Sequence, residues 1–181
     1  MSNQIRQRYA DLADSIFQQI EPTLQKLSNQ VIELGGIDEE VLSIVDGWQN
    51  RKALWNWRAV LKAEKKKPKR IEVSFHVNGT LCGLMLARFS KRRISINVRF
   101  IEASPDPSHP LRQKFLPASL LFAELFAAAI GATYVHVSKP VEALVPKYRK
   151  LGYDLDSADK ARERKGFKPR CLLLTKRLPS L

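Results

Sequence analysis

The spacing of the apolar residues changes once along this chain, near Arg70, and that change restricts the possible folds more than any other feature. Before it, Ile5, Tyr9, Leu12, Ala13, Ile16, Phe17 and Ile20 recur at three- and four-residue intervals, the stripe of an amphipathic helix. Pro22 suits the first turn of a second helix, in which Leu24, Leu27, Val31 and Leu34 continue the period until Gly35 and Gly36 stop it. Asp38 reads as the N-cap of a third segment carrying Val41, Leu42, Val45 and Trp48. A fourth, ending before Pro68, holds Leu54, Trp55, Trp57, Val60 and Leu61, and its tryptophans read as core residues.

After Arg70, Ile71, Val73, Phe75 and Val77 alternate with Glu72, Ser74 and His76, which is strand spacing with one apolar face. Asn78-Gly79 follows, a hairpin signal because both residues tolerate positive φ. Thr80 to Phe89 is apolar on both faces around Gly83, as in a central strand. After a turn at Ser90 to Arg93, the residues Ile94, Ile96, Val98 and Phe100 alternate again. Three consecutive antiparallel strands are therefore expected.

The topology then changes. A Pro-rich loop, Ser104 to Pro117, leads to an apolar helix from Ala118 to Ile130, closed by Gly131, and then to a short strand, Thr133 to Ser138. Strand, helix and strand with short joints form a crossover, which places this strand parallel to the one from Ile94 to Glu102. Pro140 opens another helix, kinked at Pro146 and closed by Gly152. A basic loop from Asp156 to Lys168 and a strand from Cys171 to Thr175 complete the chain. The predicted fold class is α/β (α+β), one domain over residues 1–181, with a helical part (1–66) and a sheet part (70–176); this length buries a core without staples.

Composition removes several function classes. Apolar residues at 44% and charged residues at 27% are globular values. The longest apolar run, Leu120 to Ile130 broken by Glu124, is short of the ~20 residues that cross a bilayer. The amino terminus lacks the apolar stretch of a secretory signal, so a cytoplasmic location is expected. Cys82 and Cys171 have neither disulfide-framework nor zinc spacing and read as small buried hydrophobes. His76, His109 and His136 lack metal-ligand spacing, and His136 reads as an interior histidine.

Charge is the unusual property. The chain has 31 Lys and Arg against 18 Asp and Glu, a net +13. The excess gathers in Lys62–Arg70, Arg88–Arg93, Lys147–Lys150 and Lys160–Arg170. Such runs suit either solvated faces or a surface for an anionic partner such as nucleic acid.

The order of elements, with Tyr148-Arg149-Lys150-Leu151-Gly152-Tyr153 following Gly131-Ala132, a short strand and Pro140, resembles the GNAT N-acetyltransferase superfamily over roughly 70–153. The hexapeptide is similar to that family's closing signature of Tyr, two or three polar or aliphatic residues, Gly and an aromatic. The resemblance implies acetyl-CoA as donor and an amine as acceptor. Its pantetheine arm would lie where the third meander strand and the parallel strand splay apart, at Phe100 and Ile101. Its pyrophosphate would lie on the loop entering the crossover helix: Leu111, Arg112, Gln113, Lys114, Phe115 and Ala118. Tyr148 matches the family's acid, and Glu102, at the end of the third meander strand, matches its carboxylate base. Counting in twos from Ile94 puts Glu102 on the apolar face, so that it either occupies a cleft or follows a bulge.

The loop departs from the family pattern, in which Arg or Gln precedes two glycines. No glycine lies between Gly83 and Gly131, and Pro117 has no N–H, so Arg112 and Lys114 would supply charge instead. Two functions follow: an N-acetyltransferase whose acceptor is associated with nucleic acid, tRNA or the ribosome, or a fold that has lost catalysis and serves as a basic nucleic-acid- or protein-binding module. The first 35 residues are also a candidate homodimer contact.

Overall fold

A computed structural model describes residues 2–53, 55–65, 69–90 and 94–179, with 2–12 described as backbone only. The side chains of Ile5, Tyr9 and Leu12, all of Leu54, and residues 66–68 and 91–93 of the basic runs lie outside the described residues.

Helix α1 (Ser2–Ser28) runs through Pro22 without restarting, because Ile16, Phe17, Ile20 and Leu24 bury on both sides of the proline. Packing there outweighs the lost backbone bond. Asn29, at φ 57°, ends the helix. The next residues are not helical: β1 (Glu33–Gly35) pairs antiparallel with β2 (Arg70–Val77). The Glu21 carboxylate accepts the Leu34 N–H at 2.9 Å, and Ser74 donates to the Gly36 carbonyl at 2.9 Å.

Helix α2 (Glu39–Asp46) has the expected cap, with Asp38 accepting from the Val41 N–H at 2.9 Å. Helix α3 (Trp57–Glu64) is capped likewise by Asn56. The meander appears as β2, β3 (Thr80–Phe89) and β4 (Ser95–Ala103), all antiparallel. Helix α4 (Phe115–Ala129) crosses to β5 (Tyr134–Ser138), which pairs parallel with β4.

The rest differs from expectation in three ways. The helix expected from Pro140 is a 3-10 turn (Glu142–Leu144) followed by α5 (Val145–Lys150), with Pro146 at a tolerated first-turn position rather than at a kink. The expected basic loop contains β6 (Asp154–Leu155) and α6 (Ser157–Arg164), the helix capped by Asp156. The last strand, β7 (Leu173–Arg177), begins two residues late, so Cys171 lies outside it, half-buried at φ 51°. Among the described residues the strands form one mixed sheet in the order β1-β2-β3-β4-β5-β7-β6.

The sheet separates two cores. On one side α1 and α4 pack with Val73, Phe75, Met85, Ile96, Val98, Val135 and Tyr148. On the other, α2 and α3 cover Leu81, Leu84, Leu86 and part of Phe100, with Trp57 at the centre. Gly83 lies beneath α4, where a Cβ would come within 2.3 Å of the Phe115 ring.

Candidate functional site

The site begins where two strands part. β4 and β5 are paired from Ser95 opposite Tyr134 to Val98 opposite Val137. β4 then continues to Ala103 while β5 stops at Ser138. Past Val98, among the described residues, no strand pairs with the side of β4 that points away from β3, which leaves a gap in the pairing there.

A bulge marks the parting point. Leu86 pairs with Phe100 but Ala87 pairs with Val98, so Arg99 is an extra residue in β4. The extra residue reverses the alternation: Ile96, Val98 and Ile101 face the α4 core, whereas Phe100 packs with Trp57 on the α2–α3 side. Of the two placements open to Glu102, the bulge is the one found.

Glu102 is 4% exposed and accepts hydrogen bonds at both oxygens. Arg51 donates from Nε to Oε1 at 2.8 Å and from Nη2 to Oε2 at 2.7 Å, and the Trp57 indole donates to Oε2 at 2.6 Å. Arg51 Nη2 also donates to the Trp55 carbonyl at 2.5 Å, and the Trp55 ring stands edge-on to Phe100 at 5.0 Å. The bond to Glu102 raises the Arg51 pKa. A carboxylate gripped by a guanidinium fork and an indole has three of its four lone pairs in use. Taking a proton from an amine would break that pairing. Arg51 and Trp57 have no local motif to mark them, since they lie 51 and 45 positions from Glu102. Trp55, at 37% exposed, is not a core residue.

Tyr148 sits on α5, 4% exposed, with its ring edge-on to Tyr153. Burial pushes its phenol up to about 12, which keeps it protonated at neutral pH and able to donate.

The loop before α4 is folded onto itself. The amides of Arg112, Lys114 and Phe115 donate to the carbonyls of His109 (3.0 Å), Leu111 (2.9 Å) and Leu111 (2.7 Å). Leu111, Phe115 and Ala118 are buried in the core, Phe115 edge-on to Phe75. Gln113 is exposed at φ 70°, Lys114 Nζ donates to the Ser28 carbonyl at 2.7 Å, and Arg112 Nη1 donates to the Pro107 carbonyl at 3.0 Å. An anion here would therefore meet the exposed faces of Arg112 and Gln113 more readily than a row of amides.

A cavity of about 820 Å³ opens elsewhere, between α5, β6 and α6, and includes Arg149, Asp154, Lys160 and Glu163. Its charges are paired with one another, Lys160 with Asp154 at 2.7 Å and Arg149 with Glu163 at 2.9 Å. None of the candidate catalytic and cofactor-binding residues lines this cavity.

No family model matches the sequence, and no curated protein matches it either. Solved structures do match in shape. The ribosomal-protein-S18-alanine N-acetyltransferase from Escherichia coli superposes with a TM-score of 0.58 at 12% identity, over 83% of this chain and 96% of that one. The aminoglycoside 6'-acetyltransferase type Ii superposes at 0.55 and 16% identity, over 83% and 99%. A Bacillus subtilis acetyltransferase in complex with CoA does so at 0.51 and 14%, over 82% and 98%.

Proposed function

We propose that this chain, whose fold is that of the GNAT N-acetyltransferases, transfers an acyl group from acyl-CoA to an amine. The observation that carries the reading is the parting of β4 from β5 beyond Val98, set off by the bulge at Arg99. The backbone around Phe100 and Ile101 is left able to bond an extended amide-bearing arm as a strand would.

Each residue then has a part. The arm of acetyl-CoA lies along Phe100 and Ile101 in the gap. Arg112, with Gln113 and Lys114 beside it, meets the pyrophosphate through side chains, since the amides of Arg112, Lys114 and Phe115 are committed. As the amine nitrogen bonds to the acyl carbon and the carbon–sulfur bond breaks, the departing thiolate takes the Tyr148 proton. Burial keeps that proton in place until then. Glu102 holds Arg51, Trp57 and the Trp55 segment at the mouth of the gap.

Calorimetric titration with acetyl-CoA, and release of free CoA in the presence of amines such as spermidine, glycinamide or an alanine-first peptide, test this. Tyr148→Phe is expected to bind acetyl-CoA as tightly as the wild type and to turn over about 100-fold more slowly. No binding at ~1 mM acetyl-CoA, an affinity too weak to be useful, would remove the reading.

A second reading is favoured by a separate observation. From Lys139 to Arg177 there are twelve Lys and Arg against five Asp and Glu. Among the described residues no carboxylate pairs with Lys139, Lys147, Lys150, Lys165 or Arg170, nor with Arg99 at the parting point. A basic module that holds nucleic acid or tRNA would use these groups. Its affinity for tRNA would fall by about one decade per decade of salt for each phosphate neutralised. Affinity that persists at high salt argues against it.

A further inference from the structure

With both Glu102 oxygens committed, the acyl-transfer reading lacks an acceptor for the amine proton. The side of the sheet that Phe100 and Glu102 share carries another candidate. On β5, Val135 and Val137 are buried toward α4, so Tyr134, His136 and Ser138 point to the opposite side, and all three are half-buried. His136 lies opposite Asn97 of β4 and Thr175 of β7, one residue before the last β4–β5 pair. It is therefore beside the gap, on the side from which Trp55, Arg51 and Glu102 border it.

The ring is held in place. Its Nδ1 is 2.9 Å from the Thr175 hydroxyl oxygen, and its plane stacks on Tyr134 at 6.1 Å and 7°. Next to it, Ser138 donates to Asn97 Oδ1 at 2.7 Å.

We infer that His136 is the general base of the reaction, with Nδ1–H donated to Thr175 so that Nε2 carries the lone pair that accepts the proton of the acceptor amine. The step balances: the ammonium gives one proton to Nε2, the freed nitrogen bonds to the acyl carbon, the carbon–sulfur bond breaks, the thiolate takes the Tyr148 proton, and the second nitrogen proton, acidic once the nitrogen carries the acyl group, passes through solvent to the Tyr148 phenolate. Burial lowers the His136 pKa, so the ring is neutral and basic at neutral pH. The groups that face it from its surroundings are Tyr134 on its own strand, Asn97 and Ser95 on β4, and Thr175 and Arg177 on β7. Lys176 lies on the other side, bonded to Glu124. Thr175 is a positioning residue.

The inference rests on the acyltransferase reading, and the test separates the two. The wild-type chain is assayed with acetyl-CoA and whichever of spermidine, glycinamide or an alanine-first peptide it acetylates fastest, and kcat/KM is followed from acid to alkaline pH. The wild type is expected to lose rate on the acid side, below the ordinary histidine value. His136→Ala is expected to bind acetyl-CoA unchanged, to be about 100- to 10,000-fold slower, to lose the acid limb and to recover rate with added imidazole. Thr175→Val is expected to keep part of the rate and to move the acid limb. A His136→Ala variant with wild-type rate and an intact acid limb overturns the assignment. So does one that loses acetyl-CoA binding together with rate and is not restored by imidazole, since that marks a structural histidine. A wild type that binds acetyl-CoA but acetylates none of the amines removes the transferase reading itself.

Discussion

Removing the guanidinium at position 51 would leave a buried carboxylate with one indole donor where there had been three hydrogen bonds. Arg51→Ala is expected to lower unfolding free energy in urea by about 3 kcal/mol or more, the usual cost of breaking a buried pair from one side. The double variant Arg51→Met with Glu102→Leu should recover most of that loss, because no charge is then left uncompensated. This arrangement was only half visible in the sequence. Strand parity put Glu102, singled out by the resemblance, on the apolar face and offered a bulge as one way to place it. The pairing register was needed to find the bulge at Arg99, and Arg51 comes from a connection between α2 and α3 with no motif of its own. Tyr148 was visible because its hexapeptide is contiguous. His136 was visible only as an interior residue, since nothing local shows that strand pairing ends one position later.

At the scale of elements, legibility followed strength of pattern. β2 to β4 alternate cleanly and turn at Asn78-Gly79, and α4 is long and apolar, so all were readable. β1 and β6 are too short to show a period, and α6 is polar around most of its surface. Helix α6 is tied to the chain that follows it through buried Asp159, which accepts the Arg170 amide at 2.8 Å on Oδ1 and the Cys171 amide at 2.7 Å on Oδ2. These charge-assisted bonds steer the chain from α6 into β7 past Cys171, which stands in the left-handed region. Asp159→Ala is expected to destabilise the protein by about 2 kcal/mol in urea, while Asp159→Asn, retaining one acceptor oxygen, should lose less. Equal stability for Asp159→Ala and wild type would show that this fastening is unimportant.

For the whole molecule, the three histidines act together. His76, His109 and His136 all have pKa values lowered from 6.5, with burial the leading cause in each. The unfolded chain therefore binds more protons than the folded one once pH falls below about 6.5, and stability must fall with it, progressively down to the lowered folded values. Urea midpoints measured between neutral pH and pH ~5 should drop, and replacing all three histidines by glutamine should flatten the slope. The net +13 adds repulsion in the same direction, but salt screens repulsion and leaves the burial cost in place. A slope that disappears in high salt would assign the effect to surface charge. The general architecture was readable at this scale from the order of elements. The state of the loop before α4 was not: its missing glycines were plain, but only coordinates show its amides turned inward onto Leu111 and His109.

The bulge also carries a lesson about length. Because Arg99 has no counterpart on β3, trimming that single position would let β4 run straight with Val98 and Phe100 still opposite Ala87 and Leu86, and the occupants of its two faces would stay where they are. If Arg99 were kept and paired in regular register instead, Phe100 and Glu102 would be driven into the hydrocarbon beneath α4, and Ile101 would be turned toward Arg51. Leaving one residue of a nine-residue strand unpaired thus keeps an ionised group out of oil and an aliphatic one out of the mouth. Loss of Arg99 should therefore disturb β4 less than an insertion at a paired position beside it.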